Sequence, residues 1–173
     1  MPSMMDPNFH QTVTYICEHS EHGALGIVIN RPLDMELGEI FEQLSLEQTD
    51  PILADSPILR GGPVQTEHGF VIHESTEQWE ATAAVSNSIH VTTSRDILSA
   101  MASGKGPKRA VVALGYAGWG AGQLDAEIAA NAWLSVPAST DILFDTPFEE
   151  RWSRAAEILG VDLTTISPEA GHA

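Results

Sequence analysis

The sequence predicts a single α+β domain built on a mixed, largely antiparallel β-sheet. Three observations carry this. Apolar runs flanking short turns pair up as hairpins, other apolar runs stand beside amphipathic helical stretches, and no linker interrupts the 173 residues. Strands that come in hairpins as well as next to helices favour this class over a doubly wound parallel sheet. A chain of this length buries roughly 70% of the surface its unfolded form exposes, enough for a core without disulfides.

The first hairpin is VTYICEH (13–19) and ALGIVIN (24–30) around a turn at Ser20 to Gly23. The second strand is almost uninterruptedly apolar, as expected of a central strand covered on both faces. After Asn30-Arg31-Pro32 comes DMELGEIFEQLSL, where Leu37, Ile40, Phe41 and Leu44 recur at helical spacing and Asp34 is placed to cap. Residues 47–57 read as a loop. PILRGGPV and GFVIH (69–73) are strand-like, and TAAV and IHVTT flank the turn Ser86-Asn87-Ser88. Thr93 with Asp96 forms a capping-box pattern for a short helix that Gly104 ends. AVVAL (110–114) is a buried strand leading into a glycine-rich loop, and Gln123 to Ala132 forms the next helix. Thr146-Pro147-Phe148-Glu149 combines a capping box with proline at the first helical position; Phe148, Trp152, Ala155, Ala156 and Leu159 make that helix's buried stripe. The domain spans residues 1–166, and SPEAGHA (167–173) is expected to be a flexible tail.

Charge excludes whole classes of partner. With 24 acidic against 8 basic residues the chain carries a net charge of −16, so nucleic acid and anionic membrane surfaces are repelled at long range. The basic run GKGPKR, with Lys105, Lys108 and Arg109, reads as an exposed turn between helix and strand. No apolar run is long enough to span a membrane, and the start MPSMMDPNFHQ lacks a signal-peptide pattern, so a cytoplasmic location is expected. The lone Cys17 fits a reducing compartment.

The stretch GYAGWGAGQLDAEI (115–128) holds four glycines within eight positions. A dinucleotide loop would need a third glycine at Gln123 or Asp125, and a phosphate-binding loop would need lysine where Ala121 stands. Asp125 and Glu127 already occupy the helix start, where they would oppose a phosphate. The glycines therefore serve left-handed turns or close backbone approach, with Trp119 between them as a packing plug or a contact surface. Cys17, His19 and His22 straddle the first hairpin and lack a fourth partner at a recognisable metal-ligand spacing, so no metal and no cofactor is expected.

YICEH, GALGIVINRPL, LRGGPV with GFVIH, TTSRDIL, ALGYAGWGAGQLDAEIAANAWL and ILFDTPFEERWSRAAEILGVD stand in this order over nearly the whole chain. In these blocks the sequence resembles the YqgE/AlgH family of bacterial proteins. The resemblance implies an α+β domain with a bifurcated, partly barrel-like sheet and a cytosolic location. It brings no catalytic residue set, and the family's occasional label of transcriptional regulator comes with no DNA-binding motif here. Family members carry an apolar strand ahead of a Met-Pro dipeptide, and this chain begins at that dipeptide. Either the native start lies upstream, or a missing strand leaves an open sheet edge where a second chain would pair as a homodimer.

Three functional readings follow. A non-enzymatic module that binds a protein or small ligand is preferred, because no catalytic signature is present. The alternatives are an enzyme with a carboxylate or arginine site outside known motifs, and a regulator of transcription acting indirectly rather than by binding DNA. Candidate binding residues stand beside turn glycines or element ends, where rigid scaffolds present function: Asn30 and Arg31, Arg60 before Gly61-Gly62, Ser94 and Arg95 at a helix start, and Trp119 and Gln123. Arg95 and Trp119 are the foremost of these, being of the types enriched at binding hot spots.

Overall fold

The computed structural model describes residues 9–74 and 77–160. The expected tail at 167–173 lies outside them. In chain order the elements are β1 (Thr14–Ser20), β2 (Gly23–Val28), β3 (Pro32–Glu36), α1 (Leu37–Gln43), α2 (Pro51–Ala54), β4 (Pro57–Arg60) and β5 (Val64–Glu74). There follow β6 (Thr82–Ala84), β7 (Ile89–Thr92), α3 (Arg95–Ala102), β8 (Ala110–Trp119), α4 (Gln123–Ala129) and α5 (Arg151–Ile158). The eight strands form one curled sheet in the order β1-β2-β8-β5-β7-β6, with the antiparallel pair β3–β4, separated in sequence by α1 and α2, joined to β8 as a side branch.

The sheet forks on β8. One edge of this strand is shared: Ala113 and Leu114 pair in parallel with Leu59 and Arg60 of β4, while Ala117 to Trp119 pair antiparallel with β2. The other edge is antiparallel to β5. At the fork Gly61 and Gly62 lie directly on the β8 backbone; a Cβ on Gly61 would stand 2.3 Å from the Gly115 carbonyl oxygen, and one on Gly62 2.2 Å from Tyr116 C. Gly115 itself has φ +81°, a left-handed conformation that suits glycine. Close backbone approach, one of the two roles expected of the glycine run, is thus realised at Gly115.

Central strands bury both faces, which explains their continuous apolar runs. Along β5, Phe70 and Ile72 join one cluster with Tyr15, Ile29 and Leu143, whereas Val71 points to a second with Phe41, Ile58 and Ile97 beneath α1 and α3. A third, smaller cluster gathers Ala24, Ala117, Trp119, Leu124 and Trp133.

Several element ends differ from expectation, each for a local reason. Asp34 lies in β3 and does not cap α1; the cap is Glu36, whose amide donates to the Glu39 carboxylate at 2.7 Å in a reciprocal box. The expected loop 47–57 contains α2, capped by Asp50 Oδ1 accepting the Ile52 amide at 3.0 Å. Ser94, not Thr93, precedes α3, and Asp96 accepts the Glu80 amide from across the chain. The expected AVVAL strand runs on through Tyr116 to Trp119, because β2 pairs with its second half. The helix from Gln123 ends at Ala129. Thr146 does not cap α5: it closes the wide turn Asp141–Asp145 from its C-terminal end, its hydroxyl donating to the Asp141 carbonyl at 3.0 Å, and α5 begins only at Arg151 after a tight turn at Phe148–Glu150.

A polar thread crosses the sheet at His73, which is fully buried. Its Nδ1 faces the Glu74 carbonyl at 2.7 Å, which only accepts, so Nδ1 carries the proton. Nε2 then accepts from Thr92, Thr92 from Thr82 at 2.8 Å, and Thr82 from the Trp79 amide, in one consistent direction. Burial lowers the imidazole below its ordinary 6.5, nearby His90 adds to the effect, and the Glu74 carbonyl opposes it. The unfolded chain therefore takes up this proton first, and the stability contributed by neutral His73 is complete above about 6.5 and lost as pH falls towards the folded value. The stability difference between wild type and His73→Asn, measured by urea unfolding, should shrink between pH 7.5 and 5.5. A difference independent of pH would contradict the assignment.

Candidate functional site

The residues singled out from the sequence fall in three places. Asn30 stitches the incoming chain to the end of β2: its Oδ1 accepts the Val13 amide at 2.9 Å and its Nδ2 donates to the Gln11 carbonyl at 2.9 Å. Arg31 donates to the His10 carbonyl at 2.8 Å, and its own carbonyl accepts the Arg60 amide at 2.8 Å, so Asn30, Arg31 and Arg60 come together. Ser94 accepts the Ala81 amide and donates to Asp96, while Arg95 donates from α3 to the Leu44 carbonyl at the end of α1. Trp119 ends β8 five residues beyond Leu114, the partner of Arg60, about 16 Å of strand away, and Gln123 starts α4 just after it. Trp119 is 7% exposed within the third cluster, and Gln123 accepts the Gly120 amide at 3.0 Å, closing the turn before α4.

A concavity opens along β1; of the predicted residues Trp119 lines it and Asn30 bonds Val13 of its lining, whereas Arg95 takes no part. It has a volume of about 330 Å³ and runs past Thr14, Tyr15 and Ile16 between the third cluster and α5, with residues 134–139 closing one side. None of the lining residues is charged, although the chain has 32 charged residues in all. Trp119 and Trp133 form one wall, edge to face with ring centroids 5.7 Å apart, and Phe9 packs against both. Both indole N–H groups donate to the same Glu127 oxygen, at 3.4 and 3.0 Å, so one carboxylate pins the wall from behind. Ile128, Leu134 and Leu159 line the opening and are themselves exposed.

The opposite wall depends on Arg151, which no motif in the sequence singles out. Only 3% exposed, it donates from Nε to the Thr146 carbonyl at 3.0 Å and from Nη1 to the Ile29 carbonyl at 2.6 Å. Its guanidinium lies 4.5 Å from the Phe148 ring centroid. Burial pushes its pKa down to about 10, so it remains charged at neutral pH. This one side chain ties α5, and with it Trp152, Ala155 and Leu159, to the end of β2.

Other polar groups are engaged away from the groove. Arg109 is not a plain exposed turn residue: it pairs with Glu74 at 3.0 Å and with Asp145, and stands 5.4 Å from the Phe144 ring. Cys17 is half-buried with its thiol pushed up to about 12 by burial, then by Glu18, and His19 meets Asp125 at 3.2 Å. Among the described residues no three His, Cys, Asp or Glu side chains come close enough to hold a metal ion. The groove itself carries hydroxyls, indoles and aliphatic groups; its one titratable lining group, Tyr15, has its phenol raised to about 12 by burial, then by Cys17. Such a lining can bury apolar surface and accept or donate hydrogen bonds.

The family model described as AlgH-like matches residues 1–164. A UPF0301 protein of Thioalkalivibrio sulfidiphilus is 57% identical over all 173 residues, which cover 92% of its length, and one of Nitrosococcus oceani is 49% identical with the same coverage. The solution structure of the AlgH protein from Pseudomonas aeruginosa superposes with a TM-score of 0.80 at 50% identity, over the whole of this chain and 92% of that one. The crystal structure of a Corynebacterium diphtheriae protein, at 20% identity and a TM-score of 0.71 over 98% of this chain and 86% of that one, shares the fold. The chain belongs to the AlgH-like family. Among the described residues no helix is long and apolar enough to cross a membrane.

Replacing Arg151 by methionine keeps the bulk and strands two carbonyls, each costing about 1–3 kcal/mol when buried without a donor. Arg151→Met should therefore lower unfolding stability by about 2–4 kcal/mol in urea. A loss below about 0.5 kcal/mol, as at an ordinary surface position, would show that α5 is held by other means.

Proposed function

We propose that this AlgH-like protein is a non-enzymatic cytoplasmic binding module that takes an apolar segment of a protein partner, or a small apolar ligand of similar shape, into the groove beside β1. The observation that carries this reading is the uncharged lining of a concavity of about 330 Å³ on a strongly acidic chain. That volume lies within the range of small-molecule sites. Covering the groove's apolar lining would contribute about 3 kcal/mol before the cost of association, which places the affinity in a weak, reversible range. At neutral pH the lining offers no acid, base or ionised nucleophile, which favours binding over catalysis. No metal or cofactor enters this reading.

In this reading any influence on transcription passes through a protein partner. The net charge of −16 opposes contact with phosphates, and Arg109 in the basic run is already paired with Glu74 and Asp145. In this reading Asn30, which bonds Val13 of the lining, borders the groove at the end away from Trp119, and Arg31 and Arg60 beside it form a second contact area.

A neutral solvatochromic dye of the Nile red type should bind with quenching of tryptophan emission. Leu134→Asp, which puts a carboxylate at a 44% exposed position on the rim, should weaken that binding at least about tenfold, equivalent to 1.4 kcal/mol, with an unchanged unfolding curve. Dye binding that is indifferent to both Leu134→Asp and Ile128→Asp would place the apolar site elsewhere.

A further inference from the structure

We propose that residues 79–84 form a strap that acid releases from the face of the sheet beside α3. Three successive amides hang this strap on side chains. The Trp79 amide donates to the Thr82 hydroxyl at 2.7 Å, the Glu80 amide to Asp96 Oδ2 at 2.7 Å and the Ala81 amide to the Ser94 hydroxyl at 2.9 Å. Backbone pairing adds little: the Ala81 carbonyl accepts the Thr93 amide at 3.0 Å, and β6, only three residues long, pairs with β7 and has no buried residue. The one large apolar anchor of the strap is Trp79, half-buried against the cluster that holds Val71, Ile97 and Met101. An element with so few buried contacts opens at a lower cost than the centre of the sheet.

Protons act on two of the three supports. Thr82 is joined through Thr92 to His73 Nε2; a proton there turns Nε2 into a donor, reverses both hydroxyls and sends the Thr82 proton outward. It also places a charge on a fully buried ring, which must be hydrated. Thr82 and Trp79 form the half-buried end of the thread, so lifting the strap is the step that admits water. The ionisable groups around the ring do not neutralise it. His90 stands opposite on β7 with ring centroids 6.0 Å apart, and Glu74 is paired with Arg109 of β8 at 3.0 Å. Asp96 of α3 is turned to Ser94 and the Glu80 amide, and Glu80 on the strap is exposed. Val71, two residues back on the same face of β5, belongs with Ile97, Met101 and Val112 to an apolar cluster. Both supports fail in the same direction. The His73 imidazole lies below its ordinary 6.5, through burial first, with the Glu74 carbonyl opposing and His90 adding, so the open strap binds the proton first and closure weakens as pH falls below 6.5. Burial raises the Asp96 carboxyl, but the Ser94 hydroxyl and the Glu80 and Ile97 amides outweigh it and leave the group below its ordinary 3.8. Its hold is complete above 3.8 and lost as pH falls further. Between pH 7.5 and 5.5, of the two, only His73 responds.

The test is amide hydrogen exchange of the full chain at pH 7.5 and 5.5, with each rate taken relative to that of an unstructured peptide at the same pH. At both values the Trp79, Glu80 and Ala81 amides should be protected at least about tenfold less than the amides that pair β5 with β8, because the strap opens without the rest of the domain. Between the two values their protection should fall several-fold, towards the limit of about tenfold that one unit below 6.5 permits. In His73→Gln, whose side-chain oxygen can still accept from Thr92 but takes up no proton, strap protection should be the same at both values. Equal protection of strap and β5–β8 amides would mean that the strap opens only with the whole domain, and overturns the proposal. Strap protection that is unchanged by pH in the wild type overturns it as well; neither comparison needs a variant. A fall that persists in His73→Gln also contradicts it, since the proton would then act elsewhere.

Discussion

The whole sheet turns on one residue that bonds to two strands at once. Gly61 donates its amide to the Leu114 carbonyl of β8 at 2.7 Å and accepts the Val28 amide from the end of β2 at 2.7 Å. It therefore closes the gap that opens where β4 and β2 part along the shared edge of β8. Backbone groups buried at such a fork must be paired or they cost about 1–3 kcal/mol each, and Gly61 pairs one from each branch. The approach is so close that no side chain fits: the position a Cβ would take is also 3.1 Å from Ile27 Cγ2. Glycine is required here for space, with no appeal to an unusual backbone angle.

The site depends on this fork. By releasing β2 from β4, the junction lets the β1–β2 hairpin swing towards α4 and α5, leaving between them the space that the groove occupies. The next residue after Val28 is Ile29, whose carbonyl receives Arg151. Fork and far wall are thus joined by two successive backbone groups of one strand end, one held by a glycine and one by a guanidinium. The tryptophan wall is anchored separately, by Glu127, through a helix whose start is shaped by the left-handed Gly122.

Strand positions were legible in the sequence because β2, β8 and the second half of β5 are buried on both faces and so read as apolar runs, whereas the exposed Gln65–His68 half of β5 carries no such signal. Helix starts were less legible. Asp34 and Thr146 have the right chemistry for caps, but pairing of Pro32–Glu36 with β4 takes the first into a strand, and the Asp141 carbonyl takes the hydroxyl of the second. The groove was hidden for a different reason. Leu124, Trp133, Trp152 and Leu159 look like core positions, and an apolar wall facing a cavity has the same periodicity as one facing another helix. The exposed Ile128 and Leu134, directly around Trp133, were the available signal. Arg151 could not be read as buried, since its partner at Ile29 lies 122 positions away.

The central claim, that a backbone contact at Gly61 holds both branches of the sheet, is tested most directly by comparing two alanine substitutions in urea unfolding. Gly118 lies in the same strand as Gly115, but a Cβ there meets only Tyr116 Cε2 at 3.5 Å, an ordinary contact. Gly118→Ala should change stability by less than about 1 kcal/mol. Gly61→Ala, whose Cβ would stand 2.3 Å from a carbonyl oxygen, should cost more than about 3 kcal/mol, at or beyond the upper end of ordinary overpacking. Equal, small effects at both positions would mean that the fork does not rest on this contact.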